Sequence, residues 1–197
     1  MAKVSAIILA AGLSQRMGEE NKLFLHIKTK PIIKHVIDAI AKADMDEIII
    51  VGSEYSNNFL KDLLDEKMSL VNNPNYKKGM TTSIKAGVRS AKKENAFMIC
   101  LGDQPFIKSE TYKKIAKYAE NSFQESKSAI VKPSYQGKQG NPVVFSSNYL
   151  EDILNHEEPE GCKEIVEKNK AQLCLIEVND EGILKDIDNK TDLSNSD

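Results

Sequence analysis

The chain has 197 residues, with 27 Lys and Arg against 29 Asp and Glu, and 41% of it is hydrophobic. That length suits one α/β domain over residues 1–197 with a substantial core, and balanced charge without long like-charged blocks argues against a nucleic-acid-binding arm. No apolar run is long enough to cross a bilayer, and Val4 to Ala11 leads into a glycine loop instead of a cleavage site. A cytoplasmic protein with neither membrane nor nucleic acid as partner is therefore expected. The three cysteines, Cys100, Cys162 and Cys174, are widely spaced and odd in number, which gives no disulfide framework and no zinc motif.

The first apolar run, Val4 to Leu9, has the length of a buried strand. Behind it stands Leu9-Ala10-Ala11-Gly12-Leu13-Ser14-Gln15-Arg16-Met17-Gly18, with Lys22 four residues on. Small residues let backbone N–H groups approach an anion, while Arg16 and Lys22 add fixed positive charge. The spacing is not the Gly-x-Gly-x-x-Gly of dinucleotide folds. Nor is it a Walker A loop, because Glu19-Glu20 follow Gly18. A glycine-rich turn with solvated basic residues is the plain alternative. The ordered set of Gly, Ser, Arg, Gly and Lys behind a buried strand favours a triphosphate cradle.

Pro31 opens a helical pattern through Ile32, Ile33, Val36, Ile37 and Ile40. Glu47 to Gly52 reads as a strand, Asn58 to Leu64 as a short helix capped by Ser56, and Met68 to Val71 as a third strand before an Asn72–Asn75 turn. A helix opens around Gly79 to Gly87, and Ala96 to Leu101 is a fourth strand. Ser109 to Ala119 is helical. Ser128 to Val131 and Pro142 to Phe145 read as strands, Ser147 to Leu154 and Gly161 to Asn169 as helices, and Gln172 to Val178 as a last strand, with a short terminal helix after Asp186-Ile187-Asp188. Strands that are continuously apolar and alternate with helices predict a three-layer α/β/α domain with a mostly parallel central sheet. Ligands of such sheets sit beyond the carboxyl ends of the strands, so the loops after Leu9, Gly52, Val71 and Leu101 should converge.

Three further segments carry chemistry. In Gly102-Asp103-Gln104-Pro105, a carboxylate stands directly after a buried strand, where it can hold a hard cation or simply cap the next turn. Asp186-Ile187-Asp188 places two carboxylates on one face if extended, or forms a capping turn through Asp188 and Asn189. The helix starting near Gly79 offers free N–H groups and the hydroxyls of Thr81, Thr82 and Ser83, suited to a ligand and to ordinary capping alike. No histidine (His26, His35, His156) lies near a serine or cysteine motif for covalent catalysis. His35, in an apolar helix, reads as structural.

Leu-Ala-Ala-Gly-x-Ser-x-Arg-Met-Gly-x-x-x-Lys resembles the signature loop of the MobA-like nucleotidyltransferases, and most closely that of the molybdenum cofactor cytidylyltransferases. The resemblance implies the nucleotide-diphospho-sugar transferase (Rossmann-like) fold. It also implies a Mg²⁺-dependent transfer of CMP from CTP (or of another nucleotide) to a phosphorylated small acceptor of molybdopterin type, with pyrophosphate released and a molybdenum enzyme as eventual recipient. The alternatives are a sugar or polyol phosphate as acceptor, or a non-catalytic nucleotide- or cofactor-binding maturation partner of molybdenum enzymes. Residues Leu9, Ala10, Ala11, Gly12 and Ser14 then form the nucleotide loop, with Arg16 and Lys22 on phosphate oxygens. Ala11 matches the cytidine-using branch, whose guanosine-using relatives usually read Leu-Ala-Gly-Gly. Gly-Asp-Gln-Pro is similar to the family's metal motif. This implies catalytic and metal-binding roles for Asp103, a nucleotide contact at Gly102 and an acceptor contact at Gln104. The late Asp-Ile-Asp implies Asp188 as second metal ligand, and Gly-Met-x-x-Ser implies Ser83 against base and ribose. Asn141, in Gly-x-x-Gly-Asn-Pro-Val-x-Phe, stands where the family usually has His. Lys163 stands where it often has Arg, without that motif's Gly-Asp pair; both are expected on the acceptor side. The loop's spacer to Lys22 is one residue longer than usual.

Overall fold

The computed structural model describes residues 4–12 and 21–187. Strand β1 (Val4–Leu9) leads, past a short antiparallel pair β2 (His26–Ile27) and β3 (Lys30–Pro31), into helix α1 (Ile32–Ala41). Then come β4 (Glu47–Gly52), α2 (Asn57–Lys61), β5 (Met68–Asn72), α3 (Met80–Ser90), β6 (Ala96–Leu101) and α4 (Ser109–Glu125). The remainder is β7 (Ile130–Tyr135), β8 (Lys138–Gln139), β9 (Val143–Phe145), α5 (Leu150–Asn155), α6 (Lys163–Lys168) and β10 (Leu173–Glu177).

One eight-stranded sheet runs in the order β10-β7-β9-β6-β1-β4-β5, with β8 paired to β7. β1 is parallel to both neighbours, β4 and β6, and β5 continues that sense. β9 is antiparallel to β6 and β7 and separates them. The side chains of β1 alternate between two cores, as a two-residue period requires. Ala6 and Ile8 face the layer holding α1 and α4 (Ile33, Val36, Ile37, Tyr112, Ile115), while Ile7 faces α3 and α5 (Ile84, Val88, Ile153). That is the α/β/α sandwich expected. No helix among the described residues is long and apolar enough to cross a membrane.

Several boundaries differ from the sequence reading. α2 ends at Lys61, and Ser56, its expected cap, spends its hydroxyl on the Ser53 N–H at 2.8 Å. α4 runs on to Glu125, with Ser122 continuing its buried face. β7 extends past Val131 through Pro133, because β9 pairs only with Ile130 and Val131 and leaves Pro133 beyond the end of that ladder. The terminal helix expected after Asp188 lies outside the described residues.

For the site, strand register matters most. Leu9 is paired with Val51 on one side and Leu101 on the other, and Gly52 with Asn72. Four parallel strands therefore end nearly flush, and their following loops leave from one edge. The chain moves outward from β1 to β4 and β5, then returns across β1 to β6. The loops after β1 and β6 thus flank the point where the winding reverses, the usual ligand crevice of open α/β sheets.

α3 packs on β1 through Gly87, where an added Cβ would lie 2.3 Å from Ile7 Cγ2. Helix propensity alone favours alanine there by about 1 kcal/mol, but overpacking a core costs about 1–3 kcal/mol. Gly87→Ala should therefore lower the urea midpoint; a raised midpoint would show that α3 can lift off the sheet at no cost.

Candidate functional site

The site starts where β1 and β6 stop. The Gly102 N–H donates to the Leu9 carbonyl at 3.1 Å, and a Cβ on Gly102 would sit 2.6 Å from that oxygen and 2.9 Å from Ile33 Cδ1. Only glycine lets the two loops approach this closely. Ala10 and Ala11 are buried to 0% and 2% exposure, and the Ala10 N–H is already bonded to the Val51 carbonyl at 2.8 Å. Ala10 therefore extends the ladder by one more bond, and its N–H is spent within the sheet. Gly12 is different: it is exposed, and a Cβ there would meet none of the described residues within 4 Å. Packing against the described residues does not require glycine at position 12, and the bare backbone there is open to a ligand.

Lys22 opens a 3-10 turn, Lys22–Phe24, held at both ends. The Asn21 side chain accepts from the Leu23 N–H at 3.1 Å, and Leu23 is buried in the α1 core. So fixed, Lys22 Nζ reaches Asp103 Oδ2 at 2.7 Å. The two signature segments, far apart in sequence, are joined by an ion pair. The other oxygen, Asp103 Oδ1, is buried without a hydrogen-bond partner among the described residues. A buried carboxylate oxygen lacking a donor is costly. It fits a hard cation, whose preferred ligands are carboxylate oxygens and waters. Next to it Gln104 is 4% exposed, with Oε1 likewise unpartnered.

The late acidic segment arrives at the same place. The Ile187 N–H donates to the Asp103 carbonyl at 2.9 Å, so the described part of that segment ends beside Asp103. Buried Asp180 fixes this approach: one carboxylate oxygen accepts from Lys108 N–H at 2.9 Å and Thr111 Oγ1 at 2.6 Å, the other from Gly182 N–H at 3.0 Å. Asp180 thereby caps α4 from a distant part of the chain, a role invisible to local sequence reading. Asp188 itself lies outside the described residues, as do Ser14 and Arg16. Among the described residues no group of three or more His, Cys, Asp or Glu side chains is placed to hold a metal.

At the other end of the edge, Asn73 follows β5. Its N–H bonds to the Gly52 carbonyl at 2.8 Å, and its side-chain Nδ2 donates to Thr82 Oγ1 and Ser83 Oγ, both at 2.9 Å. Ser83 is thereby held in the first turn of α3. The sequence reading took the Asn72–Asn75 segment for a simple turn and missed this role. From Asp103 behind β6 to Asn73 behind β5 the edge spans three strand spacings, roughly 14 Å.

The acceptor-side candidates are placed unevenly. Thr81 Oγ1 donates to the Glu158 carbonyl and accepts from the Gly161 N–H at 3.0 Å, so the 158–161 loop is fastened to α3 beside Ser83. His156 Nε2 lies 2.8 Å from the Gly161 carbonyl and braces the same loop. Lys163 begins α6 and is exposed. The Asn141 N–H bonds to the Ile183 carbonyl at 3.0 Å, which puts Asn141 beside the 180–187 segment that leads to Asp103. His35 is structural as expected, its Nε2 3.1 Å from the Ile27 carbonyl.

Burial holds the Cys162 thiol up at about 12 and raises Cys100 further still, so neither supplies a thiolate near neutral pH. Partly exposed Cys174 should be the first thiol labelled in the folded protein by a disulfide reagent. Labelling of Cys100 or Cys162 at the same rate would mean that the interior opens readily.

Comparison with known proteins identifies the fold and the family. A 2-C-methyl-D-erythritol 4-phosphate cytidylyltransferase of Clostridium acetobutylicum is 34% identical over 120 residues, covering 58% of this chain and 52% of that one. The match thus spans about half of that relative's length. The molybdenum cofactor cytidylyltransferase of Escherichia coli is 28% identical over 152 residues, covering 76% and 73%. Among solved structures, Rv0371c of Mycobacterium tuberculosis superposes with a TM-score of 0.81 at 18% identity, covering 98% and 97%. A manganese complex of Rv0371c gives 0.71 at 16% identity, covering 90% and 89%. These structures share the sandwich described above. The MobA-like NTP transferase domain profile matches residues 6–173, and the chain belongs to that family.

Proposed function

We propose that this protein transfers CMP from CTP to a phosphorylated small acceptor, a molybdopterin-type cofactor being the first candidate, with release of pyrophosphate. One observation carries the reading. The Lys22–Asp103 pair, the Gly102–Leu9 contact and the exposed Gly12 backbone lie together on the sheet edge, and this juxtaposition supports reading them as a phosphate cradle and a cation ligand.

In this reading an acceptor phosphate oxygen attacks the α-phosphorus of CTP in line. A new P–O bond forms as the bond from the α-phosphorus to the bridging oxygen breaks, and that electron pair leaves with pyrophosphate. The loop backbone at Ala11 and Gly12 lies against the triphosphate. Lys22 and Arg16 neutralise charge that builds on the β- and γ-phosphates as they depart. Asp103, with Asp188 as its expected partner, would hold Mg²⁺, which when bound supplies Lewis-acid stabilisation of the phosphate oxygens. The manganese complex of the mycobacterial neighbour supports a divalent cation in this fold. No protein nucleophile is needed, because positioning and electrostatics carry reactions of this type. Ser83 contacts the nucleoside, and Gln104, Asn141 and Lys163 are assigned to the acceptor side.

A second acceptor class has a specific observation behind it. The Clostridium acetobutylicum relative, 34% identical, is a cytidylyltransferase for a polyol phosphate. Both readings share the donor half and differ only in what attacks.

Two experiments test the proposal. CTP with Mg²⁺ should raise the melting temperature more than GTP or ATP; equal or larger shifts with GTP would remove the cytidine assignment. Asp103→Ala should abolish Mg²⁺-dependent pyrophosphate release, a loss of at least about 100-fold expected when a central charge-stabilising group is removed. Undiminished turnover would remove Asp103 from the mechanism. An acceptor panel of molybdopterin and sugar or polyol phosphates then decides between the two classes.

A further inference from the structure

The two hydroxyls that Asn73 holds are not equivalent. Thr82 Oγ1 accepts from Asn73 and has acceptors for its own proton in the Gly79 carbonyl at 2.9 Å and the Asn75 carbonyl at 3.0 Å. It is saturated within the protein. Ser83 Oγ accepts from Asn73 at 2.9 Å, but its proton has no acceptor among the described residues, although the residue is only 6% exposed. A buried hydroxyl with an unused proton favours a ligand atom that accepts.

Asn73 has no freedom to change this polarity. Its side-chain oxygen is taken by the Asn75 N–H at 2.9 Å, and its backbone N–H by Gly52. With the carbonyl end fixed on Asn75, the amide presents its NH₂ to both hydroxyls. An amide flipped the other way would set its NH₂ against the Asn75 N–H, donor against donor, so the Asn75 contact fixes the orientation.

We propose that Asn73 is a specificity-determining positioning residue: by donating to Ser83, it turns the serine proton outward to an acceptor atom on the nucleotide's base. This inference rests on the CTP-binding reading above and deepens it. Cytosine presents two adjacent acceptors, O2 and N3, whereas guanine presents two donors, N1–H and the N2 amino group, beside a single carbonyl. A serine fixed as donor therefore favours the pyrimidine. Its discrimination comes from leaving a buried hydroxyl unpaired when guanine is offered, which costs more than a missing contact at an open surface.

The decisive substitution is Asn73→Asp, nearly identical in shape. A carboxylate only accepts, so both hydroxyls must then donate to it, and Ser83 presents lone pairs outward instead of its proton. Binding of CTP, UTP and GTP with Mg²⁺ is measured by calorimetry for wild type, Asn73→Asp, Ser83→Ala and the double variant. CTP affinity should fall about tenfold in each single variant, as for the loss of one well-made hydrogen bond, and the CTP-over-GTP ratio should shrink with it. In the Ser83→Ala background, Asn73→Asp should cost CTP binding much less than it does in wild type. UTP falling in parallel with CTP would assign the contact to O2, which both bases share. UTP left unchanged would assign it to N3, an acceptor only in cytosine.

The new negative charge alone would weaken every triphosphate equally. If CTP and GTP lose the same factor, or the double variant shows additive losses, Asn73 acts through charge or packing and the inference is overturned. Ser83→Ala with unchanged CTP affinity overturns it as well, and does so even if Asn73→Asp does not fold. Asn73→Ala would then complete the cycle. Wild-type protein without preference for CTP overturns the functional reading and this inference together. Wild-type preference with unresponsive variants overturns the inference alone.

Discussion

The hydrogen bond from Gly102 N–H to the Leu9 carbonyl is the constraint on which the site depends. It is the last bond of the β1–β6 ladder, made after the strands have ended, and it forces the loops behind them to start in contact. Because a Cβ on Gly102 would lie 2.6 Å from that carbonyl, no other residue allows the approach. From this point the two loops bring opposite charges together. Lys22, anchored through buried Leu23, and Asp103, anchored through its own carbonyl to Ile187, meet at 2.7 Å. Each compensates the other's charge in a part-buried place where neither could remain unpaired cheaply. In the proposed function, a nucleotide carrying its cation would offer both partners a replacement at once: phosphate oxygens for the ammonium and a divalent ion for the carboxylate.

Much of this was legible in the sequence for a clear physical reason. A strand buried on both faces needs an unbroken apolar run, so Val4 to Leu9, Ile48 to Val51 and Ala96 to Leu101 announced the parallel centre. The residues directly behind such strands had to share one edge. Hence Gly12, Lys22, Gly102 and Asp103 could be grouped without coordinates. Composition does not show that the backbone donor of Ala10 is spent within the sheet. Its N–H belongs to the Val51 carbonyl, as strand pairing requires.

What stayed hidden were side chains acting across long sequence distances. Asp180 caps a helix that starts at Ser109, and Thr81 holds a loop near residue 160. Nothing local distinguishes Asp180 from its acidic neighbour Glu181, or Asn73 from Asn72. The difference lies in where each side chain's hydrogen bonds end. Asn73 is 2% exposed with three side-chain bonds inside the chain, whereas Asn72 is an exposed edge residue. Polar residues in a turn read as solvated until the packing around them is known, and burial then turns the same chemistry into a specific demand.

The first turn of α3 is where these demands meet. On one side Asn73 fixes Ser83, the residue proposed to meet the nucleoside. On the other, adjacent Thr81 holds the 158–161 loop, and Pro159 packs so closely on Gly79 that a Cβ there would lie 2.7 Å from the Pro159 carbonyl. Gly79 also has φ +107°, which a residue with a side chain adopts only under strain. The half of the chain that departs from the family pattern, at Asn141 and Lys163, is thus tied to the half that follows it by one helical turn. Substitutions in the 158–161 loop leave α3 undisturbed only while they leave the carbonyl of Glu158 and the N–H of Gly161 in place. Both are backbone groups, indifferent to which side chains the loop carries. The loop's side chains can therefore vary while α3, and with it Ser83, stays where it is.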